Sequence, residues 1–223
     1  RRAGDAADAV AKGLPGAGHR TVQASVIDSA SLNALAADIT TKEGRVDVLI
    51  NNAGWSRVIA HSDLEALDDK TFDHIMRTNV RGAFACVRAF SSLLAEGDGG
   101  VVVNLSSVAA QIHFGSNIAY CASKAGLLGL TRVTALEGAK VGILANSISP
   151  SWVDTPMMAA SMEHQAKISS KSASSIYEEV KSSNPQDRVI SPEEIAQQII
   201  WLALDAPRAI TGEDILMTGG ATW

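Results

Sequence analysis

Residues 100–130 read GVVVNLSSVAAQIHFGSNIAYCASKAGLLGL, and this stretch decides the fold. Gly100 to Leu105 is nearly continuous in apolar residues, as expected of a short strand covered on both faces. The chain changes character after Ser106 and Ser107. From Ala119 to Lys140 apolar and small residues return at helical spacing. A strand followed by a helix of this length is half of a βαβ unit, and the same alternation extends in both directions. Towards the amino terminus, Asp68 to Leu94 is helical, Val46 to Ile50 is a short buried strand, Ser29 to Lys42 is a helix and His19 to Val26 is strand-like. Asp5 to Lys12 is a further helix, stopped by Gly13-Leu-Pro-Gly16-Ala-Gly18. Towards the carboxyl terminus, Gly142 to Ile148 is a strand and Pro150 to Pro156 a loop. Met157 to Ser183 is polar, serine-rich and without a clear period, which predicts a mobile segment. Ser191-Pro192-Glu193-Glu194 has the cap, proline and acids of a helix start, and that helix runs to about Asp205. Gly212 to Met217 is the last strand. Strands alternating with long helices define an α/β protein with a parallel sheet and helices on both faces. Ligands of such sheets bind beyond the carboxyl ends of the strands, so the loops after residues 26, 50, 105, 148 and 217 hold the candidate site.

Composition narrows the function. The 223 residues suit one domain; hydrophobic residues make up 46% and charged ones 19%, enough apolar material for a packed core. Nineteen basic against 24 acidic side chains give a net charge of −5 with no basic cluster, which argues against nucleic acid or an anionic membrane as partner. No apolar run approaches the roughly 18 residues of a spanning helix. Two cysteines, Cys86 and Cys121, form no disulfide framework, and a reducing, cytoplasmic setting is expected. Asn104-Leu-Ser106 matches a glycosylation signal by chance, because it lies in an apolar strand. His19, His61, His74, His113 and His164 show no metal-ligand spacing with one another or with the cysteines.

The chemistry-bearing residues surround the opening stretch. Tyr120 lies 13 residues after Ser107, and Lys124 follows one helical turn later on the same face. An ammonium about 6 Å from a phenol oxygen, at an effective dielectric of about 20, is worth roughly 2–3 kcal/mol. That predicts a phenol pKa about two units below its reference value near 10, which would make Tyr120 a usable acid or base near neutral pH. A serine hydroxyl from the strand end would bind the same substrate oxygen. The chain carries its own control: Tyr177 also has a lysine four residues later, Lys181, but no strand and serine precede it, so that pair reads as a solvated helix face.

Val103-Asn-Leu-Ser-Ser107 followed by Tyr120-Cys-Ala-Ser-Lys124-Ala-Gly126 resembles the short-chain dehydrogenase/reductase family. Asn51-Asn-Ala-Gly54, Thr78-Asn79-Val80, Asn146 to Thr155 and the ending from Glu193 to Gly220 match further motifs of that family in order and spacing, over almost the whole chain. The likeness is to members that act as 3-oxoacyl-carrier-protein reductases and as sugar or polyol dehydrogenases. It implies a Rossmann-like, doubly wound sheet and an NAD(P)-dependent enzyme that interconverts a ketone and a secondary alcohol. By the resemblance, Tyr120 is the proton donor, Ser107 binds the carbonyl oxygen, Lys124 tunes the tyrosine and holds the nicotinamide ribose, and Asn79 holds a water that feeds protons to Lys124. Asn52, Ala53 and Gly54 line the adenosine side, with Ser25 and Val26 near the adenine, while Pro150, Val153 and Thr155 meet the nicotinamide carboxamide. Gln111, His113, Phe114 and Trp152 form substrate walls, and the Met157–Met158 pair either closes the pocket or packs in the core. The resemblance also implies a homotetramer, with the helices around 72–94 and 119–139 at one interface.

The chain departs from the family in three places. Its glycine-rich turn between first strand and first helix is missing; Gly13 to Gly18 follows a helix and precedes a strand, the reverse of the required order. The resemblance places Arg1 just past the family's second strand, so the sequence is expected to be an N-terminally incomplete form of one Rossmann-like domain. His19–Val26 would then lack a neighbour and Val46–Ile50 would form a sheet edge. Ser25 replaces an acidic residue and Ser151 a glycine. Arg1 and Arg2 fall where the family recognises the 2′-phosphate, which favours NADP over NAD. The alternative expectation is a non-catalytic binding or scaffold protein that has lost its cofactor site.

Overall fold

The structure, a computed structural model, describes residues 3–59, 63–112 and 117–221. Four strands form one parallel sheet in the order β1 (Val48–Asn51), β2 (Val101–Leu105), β3 (Leu144–Pro150) and β4 (Asp214–Met217). Register is continuous, with Val48 beside Val101, Val103 beside Asn146 and Ile148 beside Ile215. Helices α2 (Ser29–Lys42), α4 (Gly82–Leu94) and α5 (Ile118–Gly138) cover one face, and α8 (Pro192–Leu204) covers the other. A Rossmann-like doubly wound α/β sheet is thus present.

Two apolar layers hold it. Phe90, Leu94, Val102 and Ala145 pack between the sheet and α2, α4 and α5, while Val103, Ile148 and Leu202 pack under α8. Because neighbours along a strand point to opposite faces, β2 needs valines at both 102 and 103, each fully buried. A buried polar chain crosses the first layer: Asn51 Nδ2 donates to Asn104 Oδ1, and Asn104 Nδ2 donates to Thr131 Oγ1, each at 2.8 Å. Asn104 is fully enclosed there, in keeping with a glycosylation match that arises by chance.

The helical stretch from Asp68 to Leu94 is divided. Asp68 caps α3 (Asp69–Met76) by accepting from Thr71 N at 2.8 Å, and a π-helical turn at Arg77–Arg81 joins α3 to α4. Such turns insert one extra residue and re-aim side chains; this one carries Asn79.

Two expectations are corrected. His19 to Val26 is not a strand: it follows α1 (Ala3–Gly13) as irregular chain, mostly exposed, because no strand among the described residues lies beside it to complete a ladder. It is held instead by Arg20, which pairs with Asp38 and Glu43 of the α2 region, and by Val26 packed against Gly82. β1 is correspondingly a sheet edge. Met157 to Ser183, expected to be mobile, forms most of α6 (Pro156–Ile168) and α7 (Ala173–Ser183). Thr155 and Ser172 cap the two helices, and Met158, Met162 and Ile176 bury between them. Met158 therefore belongs to a core, whereas Met157 is exposed.

Candidate active site

Ser107, Tyr120 and Lys124 converge. Ser107 leaves β2 in extended conformation and caps the short turn Val108–Ala110, its Oγ accepting from Ala109 N at 3.2 Å. The same hydroxyl is near enough to the Tyr120 phenol to lower its pKa. Lys124, one turn along α5, places Nζ 5.5 Å from the centre of the Tyr120 ring and donates to the Leu105 carbonyl at 2.6 Å. That carbonyl closes β2, so one strand end anchors both the serine and the lysine.

The electrostatics differ from the sequence expectation. Burial lowers the Lys124 pKa to about 8, because enclosure penalises the ammonium. Burial likewise raises the Tyr120 phenol above its ordinary value, and the nearby Ser107 hydroxyl opposes that rise only in part. The expected lowering of the phenol is therefore overturned in the protein by itself: desolvation is the largest influence on it and raises it.

Asn79 closes the site from the π turn. Its Oδ1 accepts from Trp55 N at 2.8 Å, and its Nδ2 donates to Trp55 O at 3.0 Å and to Ser123 Oγ at 2.9 Å. Ser123, fully buried, donates in turn to the Tyr120 carbonyl at 2.8 Å. This clamp fixes the loop after β1, where Gly54 sits against both polar groups. A Cβ at Gly54 would lie 3.7 Å from Asn79 Oδ1 and 3.8 Å from Lys124 Nζ. Ser123 and the Trp55 backbone are the site components that sequence reading missed; the only available signal was the position of Ser123 three residues after Tyr120 on one helix face.

The other expected site residues divide. Asn52 and Ala53 are exposed beside Gly54 at the carboxyl end of β1. Pro150 ends β3 and Val153 forms an isolated bridge with Ile190. Thr155 spends its hydroxyl locally, accepting from Met158 N and donating to Val153 O, each at 3.3 Å. Ser25 is exposed, with its N–H donating to Ser31 Oγ, and Val26 turns its side chain into packing. Gln111 is not among the residues lining the cavity beside the cluster; its exposed amide donates to Asp214 Oδ2 at 2.5 Å, a carboxylate that Ser147 and Ser149 also bind. Arg1, Arg2, His61, His113 and Phe114 lie outside the described residues. Among the described residues no cluster of His, Cys, Asp and Glu could hold a metal ion, and no helix is long and apolar enough to cross a membrane. Cys86 and Cys121 are free thiols, and Lys181 pairs with Glu178 at 3.7 Å, as a solvated helix face would.

A cavity of about 340 Å³ opens beside this cluster, between Val108, the residue after Ser107, and Ser151, the residue after Pro150. Trp152, Val180 and the segment Ser183 to Pro185 complete most of its wall.

The sheet, with its polar cluster gathered beyond the carboxyl ends of β1 and β2, defines a Rossmann-like α/β protein with a candidate site where such sheets bind ligands. A family model described as Enoyl-(Acyl carrier protein) reductase matches residues 1–222. D-threitol dehydrogenase of Mycolicibacterium smegmatis is 33% identical over 220 residues, covering 98% of this chain and 80% of that protein. A crystal structure of levodione reductase superposes with a TM-score of 0.86 at 29% identity, covering 96% of this chain and 81% of that one. An actinorhodin polyketide ketoreductase with NADPH gives 0.82 at 30% identity, covering 89% and 76%. The chain belongs to the short-chain dehydrogenase/reductase family, whose members are oxidoreductases that use nicotinamide cofactors.

Proposed function

We propose that the protein transfers hydride between NADP(H) and a ketone/secondary-alcohol pair through Ser107, Tyr120 and Lys124. The observation that carries this reading is Lys124 enclosed one turn from Tyr120, its Nζ 5.5 Å from the ring centre, with the Ser107 hydroxyl acting on the same phenol. When bound, the reduced nicotinamide supplies a hydride to the carbonyl carbon. The Tyr120 hydroxyl delivers its proton to the carbonyl oxygen, and the Ser107 hydroxyl donates to that oxygen as charge develops. A raised phenol pKa keeps Tyr120 protonated at neutral pH, as a donor must be. The ammonium of Lys124 then stabilises the phenolate left behind, in a site dry enough to magnify the attraction.

The residues present fit the nicotinamide-ribose half of such a cofactor. Gly54 leaves a cradle open in front of Asn79 and Lys124 that a side chain would begin to fill. Lys124 supplies a polar group there, and Asn52 and Ala53, exposed beside Gly54, line the adenosine side in this reading; Pro150, Val153 and Thr155 would meet the carboxamide. In this reading Asn79 would hold a water that feeds protons to Lys124. NADP is favoured over NAD by Arg1 and Arg2 and by the NADPH carried by the ketoreductase relative. The protein is further read as a cytoplasmic homotetramer that associates through the helices around 72–94 and 119–139, where Phe84, Val133 and Leu136 are exposed. Comparing kcat/KM with NADPH and NADH over a panel of carbonyl compounds tests the activity and the cofactor together. Faster oxidation of NADPH supports the reading, and no oxidation of either contradicts it.

A further inference from the structure

Of the polar residues lining the cavity beside Ser107, Ser183, Asn184 and Arg188 turn their hydrogen bonds into the protein, and Ser151 is the remaining hydroxyl in its wall. Ser183 Oγ donates to Val180 O at 2.7 Å. Asn184, almost fully buried, donates to Thr218 O at 3.3 Å and accepts from Gln186 N at 2.9 Å. Arg188 is the one charged residue lining the cavity among the described residues. Its Nη1 and Nη2 donate to the two oxygens of Glu194 at 2.6 and 2.8 Å, and its Nε donates to Gln186 Oε1 at 2.9 Å. Glu194 is held in turn by Ser191 N at 2.9 Å, so a helix start locks the guanidinium's counter-charge in place. The surface left for a ligand is mainly that of Val108, Ile112, Trp152, Val180 and Pro185.

We infer that this cavity selects an uncharged, predominantly apolar ketone, or the matching secondary alcohol, over polyhydroxylated and carboxylate-bearing substrates. The inference rests on the oxidoreductase reading for its reaction but not for its recognition. A hydroxyl entering this wall loses water and meets few open partners, and a buried polar group without a partner is costly. A carboxylate finds Arg188, the one cation lining the cavity among the described residues, already paired with Glu194. A volume of about 340 Å³ lies at the small end of ligand pockets, which suits a compact ring system.

The test compares decalone, a neutral bicyclic ketone, with erythrulose and levulinate. It uses kcat/KM with NADPH together with calorimetric binding of decalone to the protein without cofactor. Decalone should be preferred by at least about tenfold. Val180→Thr, nearly isosteric, should reduce that preference several-fold, and Glu194→Gln, which frees the Arg188 charge, should raise the levulinate rate relative to decalone. Preference for erythrulose or levulinate in the unaltered protein overturns the inference, as does an unchanged preference in Val180→Thr. Decalone binding without turnover of any of the three contradicts the reaction and upholds the pocket. Turnover of erythrulose without decalone binding does the reverse.

Discussion

Tyr120 and Lys124 show what enclosure does to two groups whose spacing alone suggested otherwise. Charge attraction predicts an acidic phenol, but desolvation raises the phenol and lowers the lysine to about 8. The lysine shift has a measurable sign. Between about 8 and its ordinary value of 10.5, the unfolded chain binds more protons than the folded one, so native stability rises with pH across that window. Below pH 8 folding encloses a charged ammonium. Lys124→Met should therefore raise the melting temperature most at pH 7, and that advantage should shrink as pH climbs towards 10.5. A difference that does not change with pH would refute the enclosed ammonium. Ser107→Ala, which removes the donor at the carbonyl oxygen, should lower kcat by about 10²–10³-fold with little change in KM; a loss confined to KM would mean that Ser107 only positions the substrate. These three residues were legible because one strand, turn and helix carries them all. The Asn79–Ser123–Trp55 clamp was not, since a serine hydroxyl on a helix chooses its partner only once the π turn has been packed against it.

At the scale of elements, α8 and the segment before it show where sequence signals hold and where they fail. Ser191, Pro192 and Glu194 announce the start of α8, and the structure contains the full reciprocal capping box. Ser191→Ala should cost about 1 kcal/mol, or about 2–4 °C in melting temperature. Thermal unfolding would check it, and an unchanged midpoint would count against the cap. The helices α6 and α7 were obscured for an identifiable reason. Their buried side is narrow, resting on Met158, Met162 and Ile176, and serines and lysines fill the other positions, so no strong period rises above the polar background. His19 to Val26 fails in the opposite direction: a β-like composition cannot make a strand without a neighbouring ladder.

For the molecule as a whole, the alternation of strand and helix was sufficient to place the sheet, its two covered faces and the loops that gather the candidate site. The cavity was not legible, because its walls come from segments as distant as Val108 and Val180 and its character depends on where Asn184 and Arg188 direct their hydrogen bonds. Association of copies belongs to this scale. Leu136→Glu, on an exposed apolar stretch of α5, should reduce the sedimenting mass if the helices around 72–94 and 119–139 join subunits, and an unaltered mass would place the interface elsewhere. The central claim is that Tyr120 hands its proton to a carbonyl oxygen beside Ser107. It is tested most directly by following NADPH oxidation with a carbonyl substrate in the unaltered protein and in Tyr120→Phe, with circular dichroism and thermal unfolding confirming that both are folded. The account predicts that a folded Tyr120→Phe variant has lost nearly all turnover; a folded variant that retains the parent rate would contradict it.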